Sequence, residues 1–195
     1  MNPLRMPITG LLRGRITRRS LLAAVLPAAG VSLAWAGDKC DDKGRFSLGG
    51  SWIATEEGTG LTMEELITPL DPEGKTATLQ GAAINYGTQL PGLLEAFGAD
   101  AFSPFVGHMV MTGRDTAKAG EVAYLVASAK TPPTIVAIVY ISNQFRFTDP
   151  DTMISHYTSS VYPPSADGLP HGKPIVGPIS GATVTNKRVP LLCTL

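Results

Sequence analysis

Histidine is the side chain best suited to move a proton near neutral pH, and this chain has three. His108 and His156 fall in stretches with strand-like spacing, while His171 sits in a Pro- and Gly-rich tail. Tyr124 and Tyr140 lie in two further stretches of the strand kind. If these four side chains project into one interior, imidazoles and phenols in an apolar chamber would orient a ligand's carbonyl or hydroxyl, and a histidine there would serve as general base. Other chemistry has less support. No His-x-x-x-His, Cys-x-x-Cys or Asp-x-Asp-x-Asp-Gly spacing occurs, so neither a metal nor another cofactor is called for. Asp41-Asp42 and Asp149-x-Asp151 supply hard oxygens only, and Ser165-Ala166-Asp167-Gly168 reads as a plain turn. A Gly-x-Ser-x-Gly nucleophile motif is absent. In Glu64-Glu65, strand alternation sends at most one carboxylate inward, and solvated surface charge is the simpler reading for both and for Asp71. Arg114, Arg146 and Arg188 are weighed as inward charges and read as exposed.

These side chains need a sheet to place them. From Gly49 to Tyr162 apolar residues recur with strand spacing and turn residues interrupt them at short intervals. A first strand is expected over Gly50 to Thr55. A hairpin follows, Thr62 to Leu70 and Lys75 to Tyr86, around Asp71-Pro72-Glu73-Gly74, where Pro72 presets φ and Gly74 permits a positive one. Leu90, Leu93, Leu94 and Phe97 are spaced for one side of a short helix, with Gly98 placed to stop it. Strands are then expected over Phe105 to Thr112, Ala119 to Ala127, Thr134 to Phe147 and Met153 to Tyr162. Their loops are too short for helical crossovers, so the pairing is antiparallel. In the longest strand Val136, Ile138 and Tyr140 occupy one face and Ile135, Ala137, Val139 and Ile141 the other, so both faces are apolar and both must be covered. After Pro163 the composition shifts to Pro, Gly and Ser, and an irregular tail wrapping back over the domain is expected.

Gly50-Ser51-Trp52, at the start of the first strand, resembles the Gly-x-Trp signature of lipocalins. The match covers three residues, and no other lipocalin signature is recognisable. The resemblance implies a ligand-holding barrel whose bottom Trp52 closes, and a core aromatic under the sheet is the plain structural role for this residue.

The first 36 residues read differently from the rest. Arg5, Arg13, Arg15, Arg18 and Arg19 are their only charged residues, and an uncharged stretch over 20–36 ends in Ala34-Trp35-Ala36, a small-x-small cleavage pattern. Thr17-Arg18-Arg19-Ser20-Leu21-Leu22 resembles the twin-arginine motif of bacterial export signals. A cleavable signal over 1–36 is expected, with residues 37–195 forming a single β-rich domain in the periplasm or secreted. The general secretory route is the alternative. The apolar segment is short for a span and carries Pro27 and Gly30. Without these residues, eleven basic side chains face sixteen acidic ones, a net charge of −5. That balance, with no Lys/Arg cluster, argues against nucleic acid or an anionic membrane as partner. Cys40 and Cys193 stand at opposite ends, and in an oxidising compartment a bridge between them is expected.

The fold class expected is therefore mainly β, an antiparallel barrel or strongly curved sheet of lipocalin or calycin type with one short helix. Its function is expected to be the binding of a small apolar molecule, with Trp52, His108, Tyr124, Tyr140 and His156 lining the interior. Two alternatives accompany it: an isomerase- or cyclase-type enzyme on a cone-shaped sheet like that of nuclear-transport-factor-like enzymes, with His108 or His156 as base, and a ligand-free structural envelope protein.

Overall fold

A computed structural model describes residues 46–190. The expected bridge between Cys40 and Cys193 and the expected signal over 1–36 both lie outside the described residues.

Strand patterning becomes nine strands and one helix: β1 (Gly50–Glu56), β2 (Leu61–Pro69), β3 (Thr76–Tyr86), α1 (Leu90–Ala96), β4 (Ala101–Phe102), β5 (Phe105–Met111), β6 (Thr116–Ala127), β7 (Thr134–Asp149), β8 (Thr152–Tyr162) and β9 (Val176–Arg188). Apart from β4, which pairs with β6 beyond the end of β5, each strand pairs antiparallel with the next in the chain. β6 pairs with β7 and β9 returns to β1, so eight strands close an up-and-down barrel. Closure removes the exposed sheet edges that would otherwise invite other chains.

The strand that closes the ring was not expected. Val176–Arg188 lies in the stretch read as irregular tail, yet it pairs with β8 on one side and β1 on the other. Its Gly177, Pro178 and Gly181 read as turn residues. They are accommodated where the β8–β9 register shifts, at His156/Thr158 and Ser159/Val161, because bulges tolerate Gly and Pro. Of the described tail, 163–175 and 189–190 are irregular. The former segment crosses the outer wall, and Tyr124 Oη donates to the Gly168 carbonyl at 3.2 Å. Ile138, the register partner of Tyr124, is fully buried on that outer side. This explains the two apolar faces of β7, one toward the barrel interior and the other partly under the tail.

One end of the barrel is sealed by packing. Trp52, Ile67, Leu79, Met109, Phe145 and Met153 belong to one buried cluster, against which Phe46 packs from the segment before β1. Arg188, at the end of β9, stacks its guanidinium 4.2 Å from the Trp52 ring centroid. Its Nη2 donates to the carbonyls of Ser47 at 2.9 Å and Pro150 at 3.1 Å, and Nη1 donates to Gly49. One cation thus ties together the lead-in to β1, the β7–β8 turn and the closing strand. At the other end α1 carries Pro91 in its first turn, where a missing N–H costs nothing, and stops before Gly98 with φ 62°. Its Leu94 packs with Leu125, Ala137, Val139 and Val161, roofing one side of the barrel.

Candidate functional site

Register decides which residues share the interior. Trp52 pairs with Glu65, Glu65 with Gly81, and Gly81 with Phe105, while Gly107 pairs with Glu121 and Ala119 with Asn143. In antiparallel pairing, partners point to the same face, so all of these point inward with Trp52.

The five residues expected to line a common interior separate under this rule. Trp52 is inside, fully buried, at the sealed end. His108, Tyr124, Tyr140 and His156 are on the outer wall. His108 and His156 are exposed, and Tyr124 and Tyr140 are half-buried. His108 pairs with Gly120, and the Tyr140 ring lies across Gly120, where an added Cβ would meet its hydroxyl at 2.9 Å. His156 borders a shallow polar groove of the outer wall with Ser142, Gln144, Thr158 and Ser180. The four therefore share a face, but it faces away from the chamber, and none of them serves as its lining.

What occupies the middle of the interior is acidic. Glu65 on β2 and Glu121 on β6 stand three strands apart round the ring of eight, and their side chains are 2 % and 3 % exposed. An eight-stranded barrel is just wide enough for its side chains to fill, so long side chains from well-separated strands meet near the axis. Asn143 on β7 donates from Nδ2 to Glu121 Oε1 at 3.4 Å. Burial pushes the Glu65 carboxyl up to about 7. Burial and then the charge of Glu65 push Glu121 up to about 8, against a smaller opposing effect of the Asn143 bond. Glu65 Oε2 and Asn143 Oδ1 are buried with no hydrogen-bond partner, as are Trp52 Nε1 and Asn186 Oδ1. Orphaned buried polar atoms are costly, roughly 1–3 kcal/mol each; two of these four belong to the carboxyl level and two to the sealed end.

No protein-family model, curated protein or solved structure matches the chain. The site must be read from its own geometry.

A third inward carboxylate, Glu56 near the other end, contrasts with this pair because it is fully engaged. It accepts from Tyr157 Oη at 2.6 Å, the Ala182 amide at 3.2 Å and Thr59 Oγ1 at 2.5 Å, bridging β1, the turn after it, β8 and β9. Burial, then this bond and the charge of Glu56, raise the Tyr157 phenol above its ordinary value. The Tyr157 ring lies against Gly181, where any Cβ would collide with it. This group is structural.

Burial also differs along the inward positions. At the Trp52 end nearly all are buried. Toward the other end Met63, Ala83, Ile141, Tyr157 and Ser159 point inward by register yet are only half-buried. The barrel is closed below the carboxyl pair and less completely closed above it, on the side α1 does not roof. Among the described residues no group of three or more His, Cys, Asp or Glu side chains gathers as a metal site.

Alternation allowed at most one of Glu64 and Glu65 to point inward, and both were read as surface charge; Glu64 is exposed, but Glu65 is buried and inward. Glu121 was missed. Its signal lies in the alternation Ala117, Ala119, Glu121, Ala123, Leu125, a lone carboxylate on an otherwise apolar parity. Of the arginines, Arg188 is the one drawn in. Arg146 is exposed and pairs with Asp115 at 3.4 Å.

Proposed function

We propose that this protein is an exported binding barrel that takes a small, largely apolar molecule into the incompletely closed end of its interior, with the Glu65–Glu121–Asn143 level as the polar floor. One observation carries this reading. Unpartnered acceptors sit at the boundary between a packed lower interior and half-buried inward residues above it. A protein needing only a scaffold would be expected to fill that level with apolar side chains. Pockets that bind small molecules combine apolar walls with a few convergent polar groups, and a closed barrel is a frequent host for them. Export to the periplasm or beyond, through the arginine pair and the Ala34-Trp35-Ala36 cleavage pattern, belongs to the same reading, as does the Cys40–Cys193 bridge.

The test is native mass spectrometry of protein recovered from the envelope of its own host, alongside titration with an environment-sensitive apolar dye. Mass above that of the polypeptide, lost on unfolding, and dye binding abolished by Met63→Trp at the mouth are the expected results. A protein that carries nothing and takes up no dye would leave the scaffold reading in its place.

A second reading is favoured by the carboxyls themselves. A carboxyl held near 7 is matched to general acid or base work at neutral pH, so an isomerase-type reaction would use Glu65 or Glu121 rather than a histidine. Turnover lost in Glu65→Gln with ligand binding retained is the result expected of an enzyme, whereas a carrier has no turnover to lose.

A further inference from the structure

We propose that the anchoring group of the ligand is a primary ammonium, held between Glu65, Glu121 and Asn143 on a molecule whose remainder is apolar; this rests on reading the barrel as a small-molecule binder.

The donor and acceptor inventory points this way. Glu65 Oε2 and Asn143 Oδ1 are unpartnered acceptors, buried, and belong to the same level as the Glu121 carboxyl that Asn143 contacts. The group they lack is a donor. An ammonium brings three N–H donors and one positive charge on a single atom, whereas a hydroxyl brings one donor and no charge. A divalent cation such as Ca2+ or Mg2+ wants six or more oxygens, and the inward side chains around the pair include Leu79, Phe105 and Ile141, which offer none. Those same side chains suit an apolar body attached to the ammonium.

Among the described residues the surroundings supply no competing cation. The inward positions of β3, β5 and β7 carry no ionisable side chain. On β1 and β8, Glu56 and Tyr157 are bonded to each other. On β9, Arg188 is held at the sealed end by Trp52, Asp151 and three carbonyls. An ammonium entering this level therefore meets two carboxyls that burial keeps largely protonated below about 7. Binding favours their ionised form, so a proton must leave as the cation enters. By linkage, affinity rises as pH rises from 6 to 8, for as long as the ligand's own amine stays protonated.

The experiment compares octylammonium with octanol, two probes with the same tail, on the exported protein by titration calorimetry in two buffers of different ionisation enthalpy. Charge-assisted hydrogen bonds contribute about 1.5–3 kcal/mol, so octylammonium should bind roughly 10- to 100-fold more tightly than octanol, with proton release at pH 7. Glu121→Gln and Glu65→Gln should bring octylammonium binding down toward that of octanol measured on the same variant, with the circular dichroism spectrum confirming that each variant folds. Equal binding of the two probes, or octylammonium binding without proton release, overturns the ammonium assignment while leaving the barrel a binder of apolar molecules. Binding of neither probe removes both readings, and Ca2+ or Mg2+ displacing octylammonium from the pair overturns the assignment in favour of a metal.

Discussion

The sealed end of the barrel and the carboxyl level above it use buried polar groups in opposite ways. At the sealed end, Arg188 stacks on Trp52, and its guanidinium donates to three backbone carbonyls from two separate segments while contacting Asp151. Glu65, the register partner of Trp52, and Glu121 are as deeply buried as Trp52, yet Glu65 Oε2 and Asn143 Oδ1 have no partner. A buried charge contributes to stability only when its surroundings replace the water it lost. The Arg188 site does so and locks the ring, whereas the carboxyl pair does not, and its charge is suppressed by proton uptake instead. The first region stabilises the fold, and the second costs stability.

The strongest way to break this comparison is to remove the Trp52 ring. It is fully buried, meets Phe147 edge-on at 6.1 Å between centroids and carries Arg188 on its face. Trp52→Ala should lower unfolding stability by about 3–5 kcal/mol, measured by urea denaturation, because it opens a cavity and strands a half-buried guanidinium together. A loss below about 1 kcal/mol would mean that the sealed end is not the stabilising region.

The carboxyl pair makes the opposite prediction, and the sign follows from linkage. Both groups hold their protons in the folded state to a higher pH than the ordinary carboxylate value of 4.5. The folded protein therefore binds more protons than the unfolded chain between about 4.5 and 8. The contribution of the pair is fully present below about 4.5 and is lost as pH rises to about 8, with a slope approaching 1.4 kcal/mol per pH unit for each group. Glu121→Gln removes one of the two groups. Its stability should fall less steeply from pH 5 to pH 8 and exceed that of the unmodified protein by about 1–3 kcal/mol at pH 8, read from denaturation midpoints across pH. Stability independent of pH over this range would show that the carboxyls are solvated.

Between these regions lies Gly81, the inward partner of Glu65. A Cβ there would collide with the Phe105 ring and approach the Glu64 carbonyl at 2.8 Å. Phe105 is itself buried and has little space to yield. Gly81→Ala should cost about 1–3 kcal/mol by overpacking, and it should weaken binding of an apolar dye more than its loss of stability alone explains, because Phe105 must move toward the chamber.

How far the sequence could be read follows from what local patterns encode. Seven strands and the helix follow from alternation and turn chemistry, since residues such as Pro72, Gly74 and Gly98 act on their own neighbours. β9 did not, because Pro178 and the flanking glycines satisfy turn rules locally and become strand only when β1 and β8 offer partners on both sides. The site failed on a different point. His108, Tyr124, Tyr140 and His156 do share a side, but a period of two within each strand says nothing about which side is in. With both faces of β7 apolar, the usual arbiter was silent. Bulges at Leu125/Val126 and Phe147/Asp149 further decouple parity counts across strands. Glu121 was legible in retrospect, as a charge on an alanine-rich parity that no water can reach.

The smallest expected effect separates surface charge from buried charge. Asp71, read from the sequence as solvated, is used locally: its carboxylate accepts the amides of Glu73 at 3.0 Å, Lys75 at 3.0 Å and Thr76 at 2.6 Å, as well as the Thr76 hydroxyl. These bonds, with that from the Thr76 hydroxyl foremost, hold it at about 2, below its ordinary 3.8. A lowered carboxyl contributes stability above the unfolded value and loses it as pH falls toward 2, the reverse of the barrel pair. Asp71→Ala should therefore lower the thermal midpoint by only a few degrees at pH 7 and make no difference at pH 2, as followed by calorimetry. A pH dependence opposite in direction for Asp71 and for Glu121, within one domain, is what the contrast between an engaged carboxylate and an unengaged one requires.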